Sequence, residues 1–288
     1  MVEIVVPVVV AAFLWWFSTG LVLMLDSLPR TTFRWSVAAA TLLALGGLAL
    51  AAATANDRSV GAAYLAFGAA LLVWGWQELT FLTGWLTGPR RHPSVARHGS
   101  WRHFFDAIEA ILWHELAIIA GGLLVAAIVW HGANHVALWT YGVLWAMRTS
   151  AKLNLFLGVR NLSEEMLPPH LTYLKSFFRR RRMNALFPLS VIGGTVVTVL
   201  LVQHALAPAA TDAHRAGVLL VAALLALAVL EHWMMVLPVN ATALWQWAMR
   251  LPPTAAPLPP GSAGTAPALA AGASTTLALP RRRGGETH

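Results

Sequence analysis

The sequence predicts an all-α membrane protein, a polytopic bundle of about seven transmembrane helices with the N-terminus outside and the C-terminus cytoplasmic. Three observations carry that expectation. Hydrophobic residues make up 58% of the 288-residue chain and charged residues only 11%, against about 25% charged in soluble domains. Apolar runs of about 20 residues recur, the length that crosses a hydrocarbon core of ~30 Å as a helix. The basic residues fall between alternate runs, as the positive-inside rule requires of a multi-pass protein.

Seven spans follow from the runs, at roughly 3–25, 34–55, 61–86, 103–130, 134–157, 184–206 and 214–237. Breaks fall at "DSLPRTT", "ANDRS", "GPRRHPS", "HGANH", the long 158–183 stretch and "APAATDAHR". The first run carries Glu3 and lacks the basic n-region of a cleaved signal peptide. One side holds Arg30 and Arg34, then Arg90, Arg91, Arg97 and Arg102, then Arg160, Lys175, Arg179, Arg180, Arg181 and Arg182. With Arg250, Arg281, Arg282 and Arg283 of the tail, that side has sixteen of the 20 basic residues. The other side has only Arg58 and Arg215, and Arg148 and Lys152 lie within a span. The basic side is therefore read as cytoplasmic and the location as the inner membrane. Several of the 14 tryptophans (Trp15, Trp16, Trp35, Trp85, Trp101, Trp130, Trp139) are placed near span ends, where indole suits the headgroup region.

Two stretches outside the spans differ in kind. Within 158–183, "LSEEMLPPHLTYLKSFFRRRRMN" has a candidate N-cap at Ser163, an apolar face of Leu171, Leu174, Phe177 and Phe178, and then four arginines. It reads as an amphipathic interfacial helix on an anionic leaflet, or as a partner-docking helix, with Lys175, Arg179, Arg180, Arg181 and Arg182 as the docking charges. Beyond the bundle of residues 1–250, residues 251–288 are rich in Pro, Ala and Gly and read as a disordered cytoplasmic tail.

Composition and motifs also exclude chemistry. The net charge of +8 tracks the membrane loops, so nucleic acid is not an expected partner, whereas the bilayer is. With no cysteine there is no disulfide or thiolate site. No Walker loop or dinucleotide fingerprint is present, and "HELAI" lacks the second histidine of a zincin helix.

The informative residues are ionisable groups inside spans, which are costly there and tend to face the bundle interior. Glu78, Glu109, His114, Glu115, Arg148, Lys152, Glu231 and His232 come from four spans. At about 1.5 Å per residue they fall in a slab roughly 10–15 Å thick near the cytoplasmic side. Four carboxylates against two cations suggest three readings. The cluster is an internal ion-pair network, or a ligand pocket in which His114 meets a chlorophyll-type pigment, or a divalent-metal site drawn from Glu78, Glu109, His114, Glu115, Glu231 and His232. The Glu-x-x-His spacing of di-iron bundles is absent.

The stretches "WWFSTGLVLMLDSLPRTTFRWS", "QELTFLTGWLTGPRR", "LWHELAI", "LWAMRTSAKLNLFLGVRNLSEEMLPPHLTYLKSFFRRRRMNALFPLSV" and "LEHWMMVLP" together resemble PuhE-type photosynthetic complex assembly proteins of purple phototrophic bacteria, over roughly residues 14–250. The resemblance implies a gene near that of the reaction-centre H subunit. It also implies a role in assembling the reaction centre and core antenna, and a link to bacteriochlorophyll supply. Expected partners are then reaction-centre and antenna subunits or their assembly factors. No catalytic residue carries over. The resulting expectation is an assembly factor, with bacteriochlorophyll handling as one mode. A membrane-bound metal enzyme of pigment metabolism and a proton-coupled transporter are the alternatives.

Overall fold

Seven long helices follow one another: α1 Val2–Asp26, α2 Phe33–Thr54, α3 Val60–Leu82, α4 Trp101–Val129, α5 Val136–Leu157, α6 Leu186–Ala205 and α7 Asp212–Met234. The structure is a computed structural model and describes residues 1–239 and 241–249, among which there is no strand. Hydroxyl caps start three of the helices. Ser59 accepts from the Ala62 N–H, Ser100 from that of His103 and Thr211 from that of His214, each satisfying one of a helix's orphan donors. All of the seven except α5 are long and apolar enough to cross a membrane. The 22-residue α5 is less apolar, since it carries Arg148 and Lys152, and it packs against α3, α4, α6 and α7.

The core lies along α3 and α7. In each, 61% of the most apolar window is buried, against 17% in α1, α4 and α6. Small side chains explain the central place of α3: Ala62, Ala63, Ala66, Ala69 and Ala70 are all buried and let neighbouring backbones approach closely. On α2, a Cβ added at Gly47 would lie 2.8 Å from the Ala69 carbonyl oxygen. Polar side chains also lock the layers. The Tyr141 hydroxyl of α5 donates to the Ile118 carbonyl of α4 at 2.8 Å, and Gln77 of α3 donates to the Ala117 carbonyl at 3.0 Å. The exposed aliphatic surfaces of the outer helices are what lipid would cover.

The sequence predicts α3 to run to residue 86, but it ends at Leu82. The Thr83 hydroxyl takes up the Leu79 carbonyl at 2.7 Å, and Gly84 turns the chain at φ +78°, a conformation that favours glycine. The chain then folds back, with the Leu86 N–H on the Thr80 carbonyl and the His114 N–H on the Thr87 carbonyl. Gly88 lies against the backbone of α4, where an added Cβ would stand 2.0 Å from the Glu109 carbonyl oxygen. A period-based reading sees only apolar residues here and misses the wedge.

The 158–183 segment also departs from the expected amphipathic α-helix. It forms two 3₁₀ stretches, Glu164–Met166 and Pro169–Phe177. Leu171, Leu174 and Phe177 are buried with Phe81, Leu82 and Ala110, so that apolar face is turned into the bundle. Two prolines, Pro168 and Pro169, remove donors that a regular α-helix would need. Ser163 makes no side-chain cap and sits at φ +48°. The Ser94 N–H bonds the Ser176 hydroxyl, His170 bonds the Leu82 carbonyl and Asn161 bonds the Met234 carbonyl. The 83–100 and 158–185 connections therefore meet the end of α7 at one end of the bundle, called here the basic end. Residues 251–288, expected to form a disordered tail, lie outside the described residues.

The wedge generates a test. Gly88→Ala should lower the thermal midpoint of the detergent-solubilised protein, at a cost of about 1–3 kcal/mol for forced repacking. Gly46→Ala, with nothing within 4 Å of the added Cβ, should leave the midpoint unchanged or raise it slightly.

Candidate functional site

Arg148 and Lys152 stand four residues apart on α5 and therefore on one face. Their partners come from two different helices. Arg148 Nη2 lies 2.7 Å from Glu78 Oε2 of α3, and Lys152 Nζ lies 2.5 Å from Glu115 Oε1 of α4. Glu231 of α7 receives the Trp15 indole N–H of α1 at 2.9 Å, with Arg148 and Glu78 within coulombic reach. His114 completes the group. It is fully buried, its ring lies 4.4 Å from that of Phe81, and neither ring nitrogen has a hydrogen-bond partner. Five helices thus converge on Glu78, His114, Glu115, Arg148, Lys152 and Glu231.

The cluster is not uniformly enclosed. The Glu78 side chain is 13% exposed, whereas that of Arg148 is 41% exposed. The Glu78–Arg148 pair therefore lies at a lateral margin of the bundle, not in a sealed interior. Glu78 Oε1 and Arg148 Nε nonetheless lack partners.

Two of the sequence-derived candidates belong elsewhere. Glu109 turns away to the loop, where Arg90 Nε reaches it at 3.0 Å and its side chain is 47% exposed. Arg90 also holds Asp106 at 2.8 Å, and the Ser94 hydroxyl donates to the same carboxylate at 2.6 Å. This network fixes the 89–106 connection to the start of α4. His232 joins a neutral chain of amides and hydroxyls. Its Nδ1 contacts the Ala228 carbonyl and its Nε2 the Ser150 hydroxyl, both at 2.8 Å. Ser150 donates to Ser190 of α6 at 2.9 Å, Asn154 reaches Ser190 at 3.2 Å, and Asn184 bonds Asn154 at 3.0 Å. The chain binds α5 to α6 and α7 without a net charge.

The metal reading fails on the donor set. Among the described residues no group of three or more His, Asp or Glu side chains could hold a metal ion. Glu78 and Glu115 are each engaged by a cation. A pigment on His114 meets a second obstacle, because the buried ring is already covered by Phe81. The geometry is that of an ion-pair scaffold, which fixes helix rotation and depth. Of the docking charges, Lys175 and Arg180 approach Glu164 at 3.8 and 3.4 Å, while Arg180, Arg181 and Arg182 are exposed.

Trp15 was assigned above to a headgroup belt, but it lies in the middle of α1 and serves Glu231. Its position near the centre of the first apolar run was the available signal. Asn154, Ser150 and Ser190 were also missed, although a polar amide or hydroxyl at span depth needs a partner.

Double-mutant analysis tests the scaffold. Lys152→Met should destabilise the protein by about 3–5 kcal/mol by stranding Glu115, and adding Glu115→Leu should recover much of that loss. Additive effects of the two substitutions in thermal denaturation would contradict the pairing. Trp15→Phe should weaken the fold by about 1–3 kcal/mol through an unsatisfied carboxylate, with Glu231→Met as the compensating change.

With this geometry in hand, the chain was compared with known proteins. It is 43% identical over 239 residues, covering 82% of this chain and 87% of the relative, to a Rhodobacter capsulatus protein described as an uncharacterized 30.4 kDa protein in the puhA 5′ region. No solved structure matches it. Residues 1–256 match the family described as "Protein of unknown function (DUF3623)", and the chain belongs to that family.

Proposed function

We propose that this protein is an integral cytoplasmic-membrane assembly factor for the photosynthetic reaction centre and its core antenna. The carrying observation is the 43% identical relative, whose description places it beside the photosynthesis gene puhA. In this reading α5 is a seventh crossing, the N-terminus is outside, and the basic end faces the cytosol. The site geometry supports assembly over catalysis. The buried charges are occupied with one another, so surfaces remain for partners and no reactive centre is evident among the described residues. Exposed Arg180, Arg181 and Arg182 are the charges offered to lipid or to a subunit at the basic end.

Bacteriochlorophyll handling is supported by a different place from the one the sequence suggested. At the end opposite the basic one, a cleft of about 640 Å³ opens between α3, α5, α6 and α7. Its walls include Trp139, Leu201 and Val218 together with His135, His204 and His214. The His204 and His214 rings touch edge to face at 4.7 Å. An apolar wall with imidazoles at its rim is the chemistry a tetrapyrrole cargo calls for, and it is accessible where His114 is not.

Deleting the gene from a phototrophic host should lower the membrane content of reaction centre and core antenna, read from absorption spectra and restored by the gene in trans. Unchanged spectra would remove the assembly role. Protein purified in mild detergent from pigmented cells should carry bacteriochlorophyll absorbance that His204→Leu with His214→Leu abolishes and His114→Leu preserves. The reverse pattern would return the cargo to the buried cluster.

A further inference from the structure

At the basic end, the turn between α1 and α2, the fold-back loop after α3 and the 3₁₀ stretch Pro169–Phe177 enclose an open cleft of about 770 Å³. Its walls carry Arg30, Arg34, Arg91 and His170, and no carboxylate lines it. Among the described residues none of the three arginines forms an ion pair with a carboxylate. Arg34 only lies over the ring of its neighbour Trp35, at 5.3 Å. This contrasts with Arg90, one residue from Arg91, which is held by two acids. Two buried hydroxyls sit in the same wall. Thr87 is 1% and Tyr173 8% exposed, and neither hydroxyl has a hydrogen-bond partner. Buried polar groups are normally satisfied, so two unmet hydroxyls beside three unpaired cations indicate a missing acceptor.

We infer that this cleft binds a phosphate-bearing anion, either an acidic lipid headgroup or a soluble phosphate, through Arg30, Arg34 and Arg91 with the Thr87 and Tyr173 hydroxyls as neutral donors. Guanidinium groups suit phosphate because they donate two parallel hydrogen bonds to its oxygens. His170 serves as a brace in this arrangement. Burial first, and then Arg30, keep its imidazole below its ordinary pKa, against the opposing effect of the Leu82 carbonyl it bonds at 2.7 Å. A neutral His170 adds no charge and holds the Pro169–Phe177 wall to the end of α3. The local structure matters for this site. The turn at Gly84, where an added Cβ would lie 2.9 Å from His170 Cδ2, brings Thr87 and Arg91 back beside the start of α2. If α3 had continued to residue 86, these groups would not share one cleft.

The test uses full-length protein in detergent, stripped of lipid. It is titrated with phosphatidylglycerol and, in parallel, phosphatidylcholine under native mass spectrometry, and with inorganic phosphate by calorimetry. Arg34→Gln with Arg91→Gln should weaken binding of the anionic ligand about tenfold or more, as expected for lost charge-assisted contacts. Arg181→Gln with Arg182→Gln, which removes two exposed arginines outside the cleft, should change it less than about twofold. All four are exposed, so neither pair removes a packed side chain. Saturable, Arg34- and Arg91-dependent binding of phosphatidylglycerol over phosphatidylcholine identifies a lipid headgroup as the occupant. Saturable, equally dependent heat with inorganic phosphate identifies a soluble one. Equal losses in both variant pairs, or full affinity retained without Arg34 and Arg91, would reduce the cleft to part of a general basic collar and overturn the inference.

Discussion

The organisation of the bundle depends on neutralising the charge that α5 carries to the level of its neighbours. Arg148 and Lys152 are too costly to leave unpaired among hydrocarbon-rich helices, and each finds a carboxylate on a different neighbour, Glu78 of α3 and Glu115 of α4. Two such pairs fix more than one degree of freedom. They set the rotation of α5, since both cations must point the same way, and they set its height against two helices at once. Hydrophobic contact between apolar helices supplies little of that registry in a membrane, where lipid is as apolar as leucine. Glu231 adds a third carboxylate. Its indole donor, Trp15, ties the first helix to the last.

Beside this charged joint runs a neutral one. His232, Ser150, Ser190, Asn154 and Asn184 pass hydrogen bonds from α7 through α5 to the start of α6. The two joints differ in consequence. A hydrogen-bonded amide chain can be satisfied without net charge, whereas a buried ion pair becomes a liability as soon as one member is removed. That difference makes α3, α4 and α5 the tightly specified part of the protein. By contrast, α6, whose surface is largely exposed aliphatic, owes its place chiefly to α7 and to this neutral chain.

The helices were legible in the sequence because their signal is one-dimensional. Runs of apolar residues interrupted by polar breaks gave all seven within a few residues, and positional depth alone brought Glu78, Glu115, Arg148, Lys152 and Glu231 to a common level. What depth cannot give is rotation. Glu109 shares the level of its neighbours but faces Arg90 and solvent, and His232 faces the serines. Trp15 was misread for the same reason, an indole at mid-helix being indistinguishable from a belt residue until its partner is known. The wedge of residues 83–88 was illegible for another cause. Its residues are apolar enough to continue a helix, and only the approach of Gly88 to the α4 backbone explains the turn. The prolines in 158–183 were visible, yet the apolar face beside them looked like lipid contact. That face is buried by the protein instead.

These features separate the protein into an inner frame and two open ends. In the frame, the carboxylates and cations engage each other or a neighbouring side chain, an arrangement suited to holding shape. The ends are different: the cleft at the basic end has arginines without acids, and the opposite cleft has apolar walls with imidazoles. A sequence search that ranks ionisable residues by how deeply they lie in the membrane finds the frame first, since desolvation makes those residues conspicuous. Arginines in a loop attract no notice on that criterion, because a positive collar is expected there in any case. It is the lack of a partner, together with two unmet hydroxyls in the same wall, that distinguishes Arg30, Arg34 and Arg91 from the collar. Recognition in this protein is therefore to be sought where its charges are unbalanced, and its deepest charges are mostly balanced already.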